Sequence, residues 1–166
     1  MLNIIKNRRE IPFGDLLTVC EETLTKNGQE YYPDQLPSEQ RFLAEHDFYT
    51  YLTDCFFKTP GAFYALWRTG GRSTAVLRME PYQDGFLLEG LETAPDCRRK
   101  GYATQLVLHV LESLPEGKRR IYSHVARDNA YSLAVHEKCG FQKILGHARC
   151  IDGSILPDMV TLLYER

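Results

Sequence analysis

The sequence predicts a single-domain α/β fold of the α+β kind, with a mixed, mostly antiparallel sheet of about six or seven strands and about four helices. Three observations lead there. A chain of 166 residues fits one domain and buries roughly 70% of its unfolded-chain surface without staples. Three strand-like runs stand in succession, joined by the turn dipeptides Gly70-Gly71 and Asp84-Gly85, the mark of an antiparallel meander. After Pro95 the apolar period changes from two to 3.6, so helices and strands alternate in the second half.

Taken in order, Ile4 and Ile5 open a short strand. Phe13, Leu16, Leu17, Cys20 and Leu24 recur at helical spacing and predict a helix over 13–26 that Asn27-Gly28 stops. Past a polar loop at 29–35, Pro37-Ser38 starts a second helix, about 38–57, in which Phe42, Tyr49, Leu52, Cys55 and Phe56 fall near one face. Thr59-Pro60-Gly61 ends it, and strands follow at 62–68, 72–80 and 86–93. Ala103, Leu106, Val107, Val110, Leu111 and Leu114 form an unbroken helical stripe closed by Pro115 and Gly117. Residues 120–126 are rich in β-branched and aromatic side chains, a strand. Residues 129–138 are a short helix stopped by Gly140, and a last hairpin, 141–151 with 155–164, turns at Asp152-Gly153. The order is β-α-α-β-β-β-α-β-α-β-β, with no repeat or low-complexity linker to divide it.

Composition narrows the partners. With 43% apolar and 25% charged residues and a net charge of -2, the chain reads as soluble and globular, with no bulk attraction to nucleic acid or anionic lipid. Five cysteines form no CxxC pair and no Cys/His set at zinc spacing, which predicts reduced thiols in a cytoplasm and no metal. The N-terminus lacks the apolar core of a signal peptide, and no run of 18 apolar residues occurs. A cytoplasmic monomer or homodimer, off the membrane, is expected.

One segment carries chemistry. The strand 86–93 runs into Pro95-Asp96-Cys97-Arg98-Arg99-Lys100-Gly101-Tyr102-Ala103 and then into a helix, so unpaired N–H groups collect at a helix N-terminus. Gly101 lets backbone approach a phosphate, Ala103 keeps the first turn uncrowded, and Arg98, Arg99 and Lys100 add positive charge. A pyrophosphate suits it. It is neither a Walker A loop nor a dinucleotide fingerprint, and taken alone such a segment is more often a solvated helix start. A second set lies further on, where Asn129 can cap its helix and His136, seven residues later, falls about 20° from the same face.

Together the two sets resemble the GNAT superfamily of N-acetyltransferases. Members carry a Pro and then Q/R-x-x-G-x-G/A, here Pro95 followed by Arg98-x-x-Gly101-x-Ala103. About thirty residues on they carry Asn and an aromatic-Glu-Lys-x-Gly-Phe run, here Asn129 and His136-Glu137-Lys138-Cys139-Gly140-Phe141. The resemblance implies a fold whose central strands splay to hold coenzyme A, with acetyl-CoA as cosubstrate and one N-acetyltransferase domain over 1–166. Acceptor-side helices occupy 1–60, the acetyl-CoA-binding core 61–141, and a C-terminal hairpin 142–166. It implies direct attack of a neutral amine on the thioester in a ternary complex. The pyrophosphate rests on N–H groups from Arg99 to Thr104, through Lys100, Gly101, Tyr102 and Ala103. The pantetheine amides pair with Leu91, Glu92 and Thr93, an N–H near Leu91 polarises the carbonyl, and Asn129 bonds pantetheine or phosphate.

An alkylammonium must lose a proton before it attacks, so a base is needed. Three candidates stand: His124 on the strand before Asn129, and Glu89 or Glu92 on the strand before the turn. Alternation puts the two glutamates on opposite faces, so only one can see the substrate, and Glu89 is favoured. Where members have a tyrosine to protonate the leaving thiolate, this chain has His136, which either donates or only fills space. Glu30, Tyr31, Tyr32, Asp34, Glu45, Asp47, Tyr49 and Tyr51 lie where acceptors are read, and carboxylates among aromatics suit a small-molecule or peptide amine. Tyr122 and Tyr131 read as packing residues. The basic run Lys118-Arg119-Arg120 reads as a strand cap, so nucleic acid is not an expected partner. A coenzyme A-binding sensor or scaffold without turnover, and a transferase of a longer acyl group, are the alternatives.

Overall fold

The computed structural model describes residues 1–115 and 120–165. A seven-stranded sheet runs in the order β1-β2-β3-β4-β5-β9-β6, from β1 (Leu2–Ile5), β2 (Phe63–Thr69), β3 (Arg72–Tyr82), β4 (Gly85–Thr93), β5 (Arg120–Ala126), β6 (Gln142–Leu145) and β9 (Met159–Glu165). Among the described residues only β4 and β5 pair in parallel. Among the described residues five α-helices cover it: α1 (Phe13–Val19), α2 (Glu21–Tyr31), α3 (Pro37–Asp54), α4 (Tyr102–Ser113) and α5 (Ala130–Lys138). Strand alternation sends Phe63, Ala65, Leu77, Met79 and Leu88 to a core under α4, where Leu106, Val107, Val110 and Leu111 are buried. Burying each of the Leu, Val, Phe and Met side chains contributes about 1.5–3 kcal/mol. Tyr64, Leu66 and Val76 face the other way, against Leu16, Leu24, Ala44 and Leu52 of α1 to α3.

Three expectations need correction. The helix expected over 13–26 breaks at Cys20 and resumes as α2, which runs through Asn27-Gly28 to Tyr31. Gly28 is a packing residue, because a Cβ there would lie 2.6 Å from the Gln40 carbonyl oxygen at the crossing with α3. Gly28→Ala is therefore expected to destabilise by about 1–3 kcal/mol, since backbone overpacking outweighs the roughly 0.5–1 kcal/mol that Ala gains in a helix. A lower urea midpoint at unchanged slope checks it. In α3 the buried side is Ala44 and Leu52 with Phe48 and Tyr51 half in. Phe42 and Tyr49 are exposed, and a 3-10 turn, Phe56–Lys58, follows the helix.

The last hairpin is interrupted. β6 pairs with β9, while the tip around Asp152-Gly153 forms its own two-stranded pair from β7 (Ala148–Arg149) and β8 (Ile155–Leu156). Gly117, Lys118 and Arg119 lie outside the described residues. Arg120 pairs with Asp84 and Glu165.

Candidate active site

β4 and β5 register only at Phe86 with Ile121, Leu87 with Tyr122 and Leu88 with Ser123. Past that point the two strands part, β4 continuing to Thr93 and β5 to Ala126. Glu89 and His124 are the next residues on each side of the opening, so two of the three expected bases flank its apex. The edge residues Leu91, Glu92 and Thr93 lie along its β4 side.

A bulge in β4 reorders its faces. Val76 pairs with Glu92 but Arg78 with Glu89, so two residues of β4, Gly90 and Leu91, oppose the single Leu77. Gly90 takes up the turn at φ +58, a conformation glycine enters without a Cβ penalty. Glu89 and Glu92 consequently share one face of the sheet, the side of α1 to α3, against the opposite faces that simple alternation predicts. Their roles still differ. Glu92 accepts a hydrogen bond from Thr23 Oγ1 at 2.9 Å, fastening α2 to β4, and burial raises its carboxyl above the ordinary value.

Glu89 belongs to a cluster that sequence reading missed. Arg78 and Glu80 sit two apart on β3, facing the same side. Arg78 Nη2 is 3.4 Å from Glu89 Oε1, and its guanidinium lies 5.1 Å from the Tyr51 ring centroid. Glu80 stands beside Glu89 and is only 8% exposed. Burial and the neighbouring Glu89 carboxyl push its carboxyl up to about 7. His124 Nε2 is buried with no partner among the described residues. Burial pushes its imidazole below the ordinary value, and Glu89 opposes the shift. The signal was legible: Arg78-x-Glu80 puts two charges at strand period inside an apolar run. Of the expected acceptor-side residues, Tyr51 reaches this cluster, its ring lying under Arg78. Tyr32 bonds Asp47, Glu45 pairs with Arg41, and Tyr49 stacks on Phe13.

Beyond the opening, α4 begins at Gly101 (φ +81) with no side chain capping it. Arg99 is also left-handed, at φ +59, and such turns bring successive N–H groups together as an anion cradle. The first N–H groups of the helix, from Tyr102 to Thr104, have no intrahelical acceptor. Space is open at Gly101, where an added Cβ would meet nothing within 4 Å. Two of the three expected cations are engaged elsewhere. Arg98 makes a two-pronged bond to Glu22 at 2.9 and 2.7 Å, and Lys100 donates to the Asp96 carbonyl. All three are exposed, and Arg99 is the one with no partner among the described residues.

Asn129 caps α5, its Oδ1 accepting from Ser132 N at 3.0 Å, which leaves its amide N–H groups to donate outward. His136 does not share that outlook. It is 1% exposed, edge-on to Phe141, with Nδ1 2.8 Å from the Ser132 carbonyl. A carbonyl only accepts, so Nδ1 carries the proton and the buried Nε2, unpartnered among the described residues, is left as a bare acceptor. Burial also pushes this imidazole below its ordinary value. Of the two tyrosines, Tyr122 packs on Tyr82, whereas Tyr131 is 83% exposed, against the packing role expected of it.

A sheet that opens between its parallel strands, beside an uncapped helix N-terminus, is the framework of an acetyltransferase. The chain belongs to the acetyltransferase (GNAT) family, whose sequence profile matches residues 25–141. Curated protein sequences yield no match. Among solved structures, the PaiA N-acetyltransferase of Thermoplasma acidophilum in complex with coenzyme A is 13% identical, with TM-score 0.65 over 100% of this chain and 99% of that one. The IAA acetyltransferase of Bacillus cereus is 16% identical, with TM-score 0.62 over all of both chains. The ribosomal-protein-S18-alanine N-acetyltransferase of Escherichia coli is 16% identical, with TM-score 0.58 over 99% of this chain and 94% of that one. At these identities the likeness is one of fold.

Proposed function

We propose that the chain, as one N-acetyltransferase domain, transfers the acetyl group of acetyl-CoA to a primary amine in a ternary complex. The observation that carries this is the parting of β4 and β5 after Leu88 and Ser123 with the open N-terminus of α4 beside it. The diphosphate rests on N–H groups from Arg99 to Thr104, and pantetheine lies along residues 91–93 with the Asn129 amide opposite. The pair Glu80 and Glu89 is the base. Burial and the neighbouring Glu89 carboxyl raise the Glu80 carboxyl to about 7, so its ionised form takes a proton from an alkylammonium near neutral pH. The freed amine nitrogen bonds the acetyl carbon, the C–S bond breaks, and the thiolate takes its proton from water. A thiol of pKa about 8.5 needs little help to leave. Five unpaired cysteines suit a reducing cytoplasm.

Thiol release from acetyl-CoA over a panel of amines tests the reaction, and calorimetry of acetyl-CoA tests the cleft. Absence of both would overturn the reading. Because the His136 proton is committed to Ser132, His136→Phe is expected to leave kcat within about threefold of the parent, well short of the roughly 10²-fold that a general acid supplies. A hundredfold fall would return His136 to the mechanism.

A further inference from the structure

Arg78 has more hydrogen-bonding capacity than its surroundings use. It is an interior side chain, 19% exposed, with one carboxylate 3.4 Å away, and its Nε is buried without a partner among the described residues. Buried guanidinium donors are ordinarily satisfied, because leaving one unpaired forfeits its hydration for nothing. Its position is built with some care. Tyr51 and Phe56 lie under the guanidinium at 5.1 and 6.0 Å. On another side is Gly90, where a Cβ would stand 3.2 Å from Nε and Nη2. Glycine at 90 therefore serves the bulge and also admits the guanidinium.

The charges of the cluster constrain what enters it. Arg78 carries a fixed positive charge, and the carboxyl groups of Glu80 and Glu89 stand beside it on the same face. The cluster therefore offers both signs close together. A ligand that answers both of them carries its own two poles close together. An ammonium alone would sit beside the Arg78 cation, and a carboxylate alone offers no nucleophile.

Resting on the transferase reading above, we infer that the acceptor is a free amino acid, its carboxylate gripped by the two-pronged guanidinium of Arg78 and its amine directed to Glu80 and Glu89. The fork of an arginine fits a carboxylate in two parallel hydrogen bonds. The closeness of the cation to the carboxyl pair selects amine and carboxylate on the same or adjacent carbons. A peptide N-terminus, whose nearest carbonyl is an uncharged amide, lacks the second pole.

The test compares each of a panel of α- and β-amino acids with its own decarboxylated amine and its own carboxamide, by thiol release with the unaltered protein at saturating acetyl-CoA. At least one amino acid is expected to exceed its amine and its amide tenfold or more in kcat/KM. Arg78→Met is expected to collapse that ratio to near one, and Arg78→Lys, which keeps the charge without the fork, to reduce it partway. Because Arg78 also adjoins Glu89, the ratio rather than the absolute rate is read, and circular dichroism confirms that each variant folds. Amines or amides turned over as well as the acids would overturn the inference while leaving the transferase intact. If nothing is turned over, the transferase reading fails. Saturation-transfer NMR with coenzyme A present then decides the pocket: amino-acid binding lost in Arg78→Met supports it, and no binding sinks it.

Discussion

Gly101→Asp is expected to weaken acetyl-CoA binding about 100-fold in a calorimetric titration, a change of about 2.7 kcal/mol. Two effects contribute. Residue 101 has φ +81, where a side chain costs roughly 1–2 kcal/mol. The new carboxylate also takes the N–H groups of Tyr102, Ala103 and Thr104 that the diphosphate needs, and repels the anion itself. Gly101→Asn bears nearly the same strain without the charge, so it is expected to lose only about tenfold. The gap between the two should narrow as salt rises, because exposed charges are screened beyond about 10 Å at 0.1 M. Arg98→Met, by contrast, is expected to cost little affinity, since that guanidinium is held by Glu22. Undiminished binding in Gly101→Asp would remove the anion cradle from this account.

What the sequence discloses here depends on how local its cause is. The stripe of α4 was legible because one face of a helix meets one core, and Leu106, Val107, Val110 and Leu111 are all buried. The turn before it was legible because a left-handed glycine at a helix start is a local event. Gly28 reads as a stop in one dimension, yet its reason is Gln40, on another helix. Arg98 reads as a phosphate ligand until Glu22, 76 residues away, takes both its prongs. The bulge at Gly90 is the sharpest case. One inserted residue moves Glu92 to the other face relative to simple alternation, and only the register with β3 shows it.

Glu80→Gln is expected to lower kcat by at least about 10²-fold, the usual worth of a general base. The acid form of Glu80 gives way to the base near pH 7, so activity of the parent should rise with pH through about 7 and then level off. The amide cannot titrate, and that step should vanish. Glu89→Gln is expected to do nearly as much harm, and the double variant little more than either, because the two side chains serve one proton-transfer step. The same group leaves a trace in stability. Its folded-state pKa lies above the ordinary 4.5, so its contribution is present below about 4.5 and lost as pH climbs through about 7. The Tm of the parent should accordingly fall between pH 5 and pH 8 by more than that of Glu80→Gln. Full activity with an unchanged pH step in Glu80→Gln would pass the role of base to His124, whose Nε2 stands unpartnered across the same opening.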